Sequence, residues 1–165
     1  LVECIDMSHA LCPGSFDPPT VGHLDIITRA SVLFDKVTVG VIRNTTKTAI
    51  LNAPERVEML KLCVEKLSNV EVISFDGLLV DCVKQVHADM VVKGLRAVSD
   101  FDYELQMAQM NRQLSDVETL FMSTNPGQSF LSSSIVRDLA RYGGDISPLV
   151  PSEIYEQVRA RFANV

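Results

Sequence analysis

The chain has 165 residues, 47% of them hydrophobic and 22% charged, with 8 glycines and 7 prolines. That is about one domain's length with enough apolar material for a core, and it excludes disordered and collagen-like classes. A formal net charge of −6 argues against a general nucleic-acid binder, so any anionic ligand must be held by a few placed cations.

The opening LVECIDMSHA fits poorly with the remainder of the chain; residues 1–9 read as an extension in which Met7 would be a natural start, ahead of one domain from residue 10 to 165. "HALC" then leads as a strand into the loop "CPGSFDPPTVGH". His23, Ile27, Ala30 and Phe34 recur at helical spacing, and "KVTVGVI" comes next as a strand. "NAPERVEMLKLCVEKL" has Asn52 and Glu55 in capping-box positions, Pro54 in the first turn, and Val57, Leu60, Val64 and Leu67 on one face. Beyond it come a strand "NVEVISF", a short helix "LLVDCVKQVH", a strand "DMVVKG", a helix "DFDYELQMAQMNRQL" and a strand "ETLFMS". A helix from Ser132 to Tyr142 ends at a glycine pair, and Pro151 opens a last one carrying Ile154, Val158 and Phe162.

This alternation predicts an α/β fold, a single Rossmann-like domain whose mainly parallel sheet has helices on both faces. In such sheets ligands bind beyond the carboxyl ends of the strands, where every suspect loop here falls. No apolar run approaches the ~18 residues a membrane span needs and no signal segment is visible, which points to the cytoplasm and no membrane partner. The cysteines at 4, 12, 63 and 82 have neither zinc nor disulfide spacing, and Cys12, Cys63 and Cys82 read as small core residues.

Four segments at that edge bear on chemistry. His23 falls in the first turn of the first helix, where exposed backbone N–H groups and the positive dipole end favour an anion. Gly22 permits close approach and Ser15 offers a hydroxyl, although a turn and a helix cap would need the same residues. "QSFLSSSIVR" starts another helix with three serines, more than one cap requires, and Arg137 lies one turn up from Ser134. Lys93 and Arg96 flank Gly94 at the end of the fourth strand, with Glu104 beyond as an acceptor for a ribose or base, and Lys47 stands after the second strand in "RNTTKT".

Taken together these fragments resemble a family. "PGSFDPPTVGH" matches the T/H-x-G-H signature of the nucleotidyltransferase superfamily and "SFLSSSIVR" its serine-rich second signature. With "KGLRAVSDFDYELQMAQMN" between them, the chain is similar to the phosphopantetheine adenylyltransferases from about Ala10 to its last helix. The resemblance implies adenylyl transfer from ATP to 4′-phosphopantetheine, giving dephospho-coenzyme A and pyrophosphate. It implies that His23 stabilises the transition state on the ATP phosphates, with Lys47 and Arg96 beside it, and that Ser15 contacts both substrates. Phe16, Gly94, Leu95, Arg96, Glu104 and the run Gln128, Ser129, Phe130, Leu131, Ser132, Ser133 and Ser134 match ATP-contacting positions, with Arg137 beyond. Lys47, Leu79 and Lys93 match the phosphopantetheine site. Many relatives have threonine at Ser15 and arginine at Lys93, and a lysine there replaces a planar fork with a point charge.

Such a transfer needs no protein nucleophile or base, because the acceptor phosphate is already an anion and the task is alignment and charge stabilisation. His23, Lys47, Lys93, Arg96, Arg137 and two helix N-termini are expected to supply positive field. No carboxylate cluster suggests a protein metal cage, so Mg²⁺ is expected mainly on ATP oxygens. The T-x-G-H signature alone leaves open another small nucleotidyltransferase, using nicotinate mononucleotide or glycerol 3-phosphate, and a non-catalytic nucleotide sensor. On the helix from Asp100 to Leu114, Phe101, Leu105 and Ala108 form one apolar stripe, and Tyr103, Met107, Met110 and Leu114 a second. The second could be buried within the monomer; the family implies a homo-hexamer, with that stripe facing a neighbour.

Overall fold

The computed structural model describes residues 8–42, 49–96 and 98–162. The apolar runs form strands β1 (His9–Gly14), β2 (Lys36–Ile42), β3 (Val70–Phe75), β4 (Met90–Leu95) and β5 (Glu118–Ser123). All pair in parallel, in the order β3-β2-β1-β4-β5. Ser8 donates its backbone N–H and its hydroxyl to Asp35 Oδ2 at 2.8 and 2.9 Å, and His9 belongs to β1, so both stand in the folded body rather than in an extension.

Helices α1 (Val21–Leu33), α2 (Ala53–Val64), α3 (Leu79–Val86), α4 (Val98–Ser115), α5 (Ser133–Arg141) and α6 (Tyr155–Phe162) match the expected stripes. α2 carries the expected capping box, with Asn52 accepting from the Glu55 N–H and Glu55 from the Asn52 N–H. It stops at Val64, so Leu67 packs from the next turn.

Alternate strand residues point to opposite faces, which divides the core. Ala10, Cys12, Val37, Val39 and Val41 face Ile27 and Ala30 of α1 and Leu60 and Val64 of α2. Leu11 and Val91 face Val80, Cys82 and Val83 of α3, with α4 packed beside it against β4 and β5. A third cluster joins Met59 of α2 to Val136 of α5 and Val158 and Phe162 of α6. Cys12 and Cys82 are buried in this packing and Cys63 is partly so, all three free.

The connections decide where a ligand can sit. From β1 the chain winds outward through β2 to β3, then crosses back to place β4 on the other side of β1. β1 and β2 share six registered pairs, whereas β1 and β4 share two, Ala10 with Met90 and Leu11 with Val91. Beyond those pairs β1 and β4 share no further registered partners among the described residues, and a sheet of this kind has its ligand crevice at the carboxyl ends of the strands, where the strand order reverses.

Candidate active site

The loop after β1 forms one wall of that crevice. Gly14 lacks a Cβ where one would come within 2.8 Å of the Phe16 ring, so the chain can fold Phe16 back over it. Phe16 takes a left-handed φ of 50°, is buried, and meets the His23 ring edge-to-face at 5.0 Å. Thr20 then caps α1: its Oγ1 accepts the His23 N–H at 3.3 Å, and its own backbone N–H donates to His23 Nδ1 at 3.0 Å. Because Nδ1 accepts a hydrogen bond, the ring proton belongs on Nε2.

Burial, then the charges of Arg96 and Lys93, push the His23 pKa down to about 4. In the ligand-free protein His23 is therefore a neutral hydrogen-bond donor at the start of α1. That corrects its place among the positive groups: cations close by and a desolvated ring disfavour a second proton. Gly94 helps seat it, since a Cβ there would come within 3.0 Å of Ile26, one turn along α1.

The end of β4 forms the facing wall. Lys93 Nζ pairs with Glu104 Oε2 of α4 at 3.3 Å, both half-buried, so an expected acceptor-side cation and an expected nucleotide-side carboxylate touch each other. The exposed Arg96 donates to the Leu131 carbonyl at 2.9 Å, which ties the end of β4, at Leu95, to the serine segment.

Each of the three serines has its own partner. Ser132 is the N-cap of α5, accepting the Ile135 N–H at 3.2 Å. Ser133 donates to the Pro18 carbonyl at 2.8 Å, tying α5 to the opening loop. Ser134 accepts from Arg137 Nη2 at 3.1 Å. Ser129 and Phe130 are exposed, while the Leu131 side chain is core. Gln128 Oε1 is buried with no hydrogen-bond partner among the described residues and lies beside Gly22 at the head of α1.

Phe16, His23, Lys93, Gly94, Arg96, Glu104, Arg137 and the run from Gln128 to Ser134 thus come together around the crevice, with Ser15 exposed on its loop. Leu79 stands after β3 at the same edge, packed with the α3 cluster on the opposite face from α1. Lys47 lies outside the described residues. Arg137 does not stand open to a ligand: its Nη1 donates to the Asp17 carbonyl at 2.7 Å and to Asp17 Oδ2 at 3.3 Å.

Three residues given no individual role by the sequence support this wall: Asp17, Thr20 and Arg56. Arg56 is 4% exposed and donates Nη1 to the Ser15 carbonyl at 2.7 Å. Thr20 was legible, because threonine three residues before His23 repeats the capping-box spacing with histidine in place of glutamate. Among the described residues no three His, Cys, Asp or Glu side chains converge on a metal position. The Asp17 carboxylate, in the loop itself, is occupied by N–H donors.

A family profile described as Cytidylyltransferase-like matches residues 11–139. The phosphopantetheine adenylyltransferase of Streptomyces coelicolor is 55% identical over 158 residues, covering 96% of this chain and 99% of that protein. The chain belongs to the phosphopantetheine adenylyltransferase family. The Thermobifida fusca member is 50% identical over 159 residues, again nearly end to end. A solved structure from Vibrio parahaemolyticus, provisionally named a nicotinate-nucleotide adenylyltransferase, superposes with a TM-score of 0.66 at 19% identity, covering 96% of this chain and 93% of its own. So distant a likeness carries the shared fold alone, and the family is set by the closer relatives.

Proposed function

We propose that this chain transfers the adenylyl group of ATP to the phosphate of 4′-phosphopantetheine, forming dephospho-coenzyme A and pyrophosphate. The observation that carries this reading is 50–55% identity, over nearly the full length, to proteins named for that reaction.

An acceptor phosphate oxygen attacks the α-phosphorus while the bond to the bridging oxygen breaks, and pyrophosphate leaves with the electron pair. The protein's work is to hold two polyanions in line and meet the growing charge. His23 donates Nε2–H to the phosphates, in a geometry its cap fixes before substrate arrives. Arg96, Gly94, Leu95, Glu104 and the Gln128–Ser134 run hold ATP, Phe16 backs His23, and Arg137 holds that run in place. Lys93, Lys47 and Leu79 take the acceptor, and Ser15 lies between the two. Mg²⁺ arriving with ATP would supply partial neutralisation of phosphate charge.

We also read the chain as a cytoplasmic homo-hexamer. On α4, Tyr103, Met110 and Leu114 are 65%, 47% and 55% exposed while Met107 is partly buried, so most of that stripe lies open on the single chain. A neighbouring copy is the cover the family implies. Sedimentation at micromolar concentration should show an assembly that Met110→Lys dissociates; a monomer throughout would end that reading. For the reaction, pyrophosphate release with ATP and Mg²⁺ should require 4′-phosphopantetheine. Nicotinate mononucleotide, or glycerol 3-phosphate with CTP, should give almost none. Turnover of nicotinate mononucleotide alone would overturn the acceptor, and ATP binding without any turnover would favour a sensor.

A further inference from the structure

Asp17 has no place in the chemistry proposed for the crevice, yet its 3% exposed carboxylate collects donors from two separate parts of the chain. Oδ1 accepts the Leu51 N–H at 2.9 Å, and Oδ2 accepts the Ile50 N–H at 3.0 Å and Arg137 Nη1 at 3.3 Å. Ile50 and Leu51 come after the Lys47 segment and lead into α2, while Arg137 belongs to α5, whose first turn carries the serines. The backbone on either side is tied the same way, with the Ser15 carbonyl held by Arg56 of α2 and the Pro18 carbonyl by Ser133 of α5.

We infer that Asp17 is a positioning residue: it fixes the acceptor-side chain before α2 and the nucleotide-side helix α5 to the loop that carries His23, and so sets the alignment of the two substrates. This rests on the proposed adenylyl transfer. Stability alone is a poor reason for the arrangement, since a buried ion pair gains little over apolar packing once desolvation is counted. A residue serving alignment should instead be felt by both substrates, because small misplacements of reacting groups are costly.

Asp17→Asn keeps the volume but leaves one acceptor oxygen for three donors. The variant should fold, show faster amide hydrogen exchange at Ile50 and Leu51, and lose roughly 10- to 100-fold in kcat/KM, with the KM of both ATP and 4′-phosphopantetheine raised. Arg137→Gln should raise chiefly the KM for ATP, and the double variant should cost no more than Asp17→Asn alone. Additive losses would mean that Arg137 acts on ATP independently and would overturn the coupling. Wild-type kinetics in Asp17→Asn, or a loss matching only the unfolded fraction with both KM values unchanged, would overturn the positioning role. Should Asp17→Asn not fold, an unchanged KM for ATP in Arg137→Gln overturns it as well. Wild-type protein is the control for the reaction itself: its failure to turn over the substrate pair refutes the reaction, while exchange at Ile50 and Leu51 still reports whether Asp17 holds them.

Discussion

The tautomer and orientation of His23 are set by Thr20 and Phe16. The Thr20 N–H occupies Nδ1 and the Phe16 ring limits how the imidazole can turn, so the free donor is Nε2–H. A donor whose value rises as phosphate charge develops affects rate more than ground-state affinity. His23→Ala should therefore lose roughly 10²- to 10³-fold in kcat while keeping most ATP affinity. Single-turnover measurements with bound ATP would check it, and wild-type turnover would remove the role. Gly14→Ala tests the support. Its Cβ would lie 2.8 Å from a ring that is 4% exposed and has no open side to swing into. About 1–3 kcal/mol of stability should be lost to overpacking, and kcat should fall as His23 loses its backing. Thermal melts and kcat measured on one sample decide whether the two losses occur together.

At the level of elements, the site is two helix N-termini brought to one crevice. α1 and α5 each need their first-turn N–H groups capped, by Thr20 and Ser132, and Ser133 beside the second cap serves as a tie. Ser132→Ala removes an ordinary N-cap and should cost about 1 kcal/mol in thermal unfolding with little effect on kcat. Ser133→Ala should cost a similar ~1 kcal/mol through its lost hydrogen bond. It should also raise the KM for ATP, because that bond joins α5 to Pro18 in the loop ahead of α1. Matching effects of the two alanines on KM would show that the tie has no role apart from capping.

The whole molecule responds to pH through histidines it holds neutral. His23 is shifted down to about 4, and His9 is also lowered, by burial first and by Lys36 next. The unfolded chain takes up these protons near the ordinary value of 6.5, whereas in the folded protein His9 takes up its proton below that value and His23 only at about 4. Between those values the unfolded state binds more protons, so stability rises with pH there and is lost as pH falls from about 6.5 toward 4. Denaturant midpoints should be level between about pH 7 and 8 and decline below about 6.5. The decline should be shallower in His23→Gln, and an equal slope in that variant would mean that His23 does not carry its part.

By itself the sequence determined the alternation of strands and helices, because apolar periodicity and caps are local: the Asn52–Glu55 box, the Ile27–Ala30–Phe34 stripe and the β-branched strands all lie within a few residues of one another. It also determined the family, since the T-x-G-H, G-L-R-A and serine-rich segments keep their identity whatever surrounds them. Only the tertiary structure decided what each polar group does. Arg137 and the serines looked alike as phosphate ligands, but the fold gives Ser132 to a cap, Ser133 to Pro18 and Arg137 to Asp17. Arg56, one position before an apolar stripe, acquires its role only when the Ser15 carbonyl arrives from 41 residues away. The crevice itself depends on β4 returning to the far side of β1, and the low pKa of His23 depends on its burial first and then on Arg96 and Lys93 coming with that strand. Electrostatics and hydrogen bonding act through space between groups far apart in the chain, and no local pattern records which of those groups will meet.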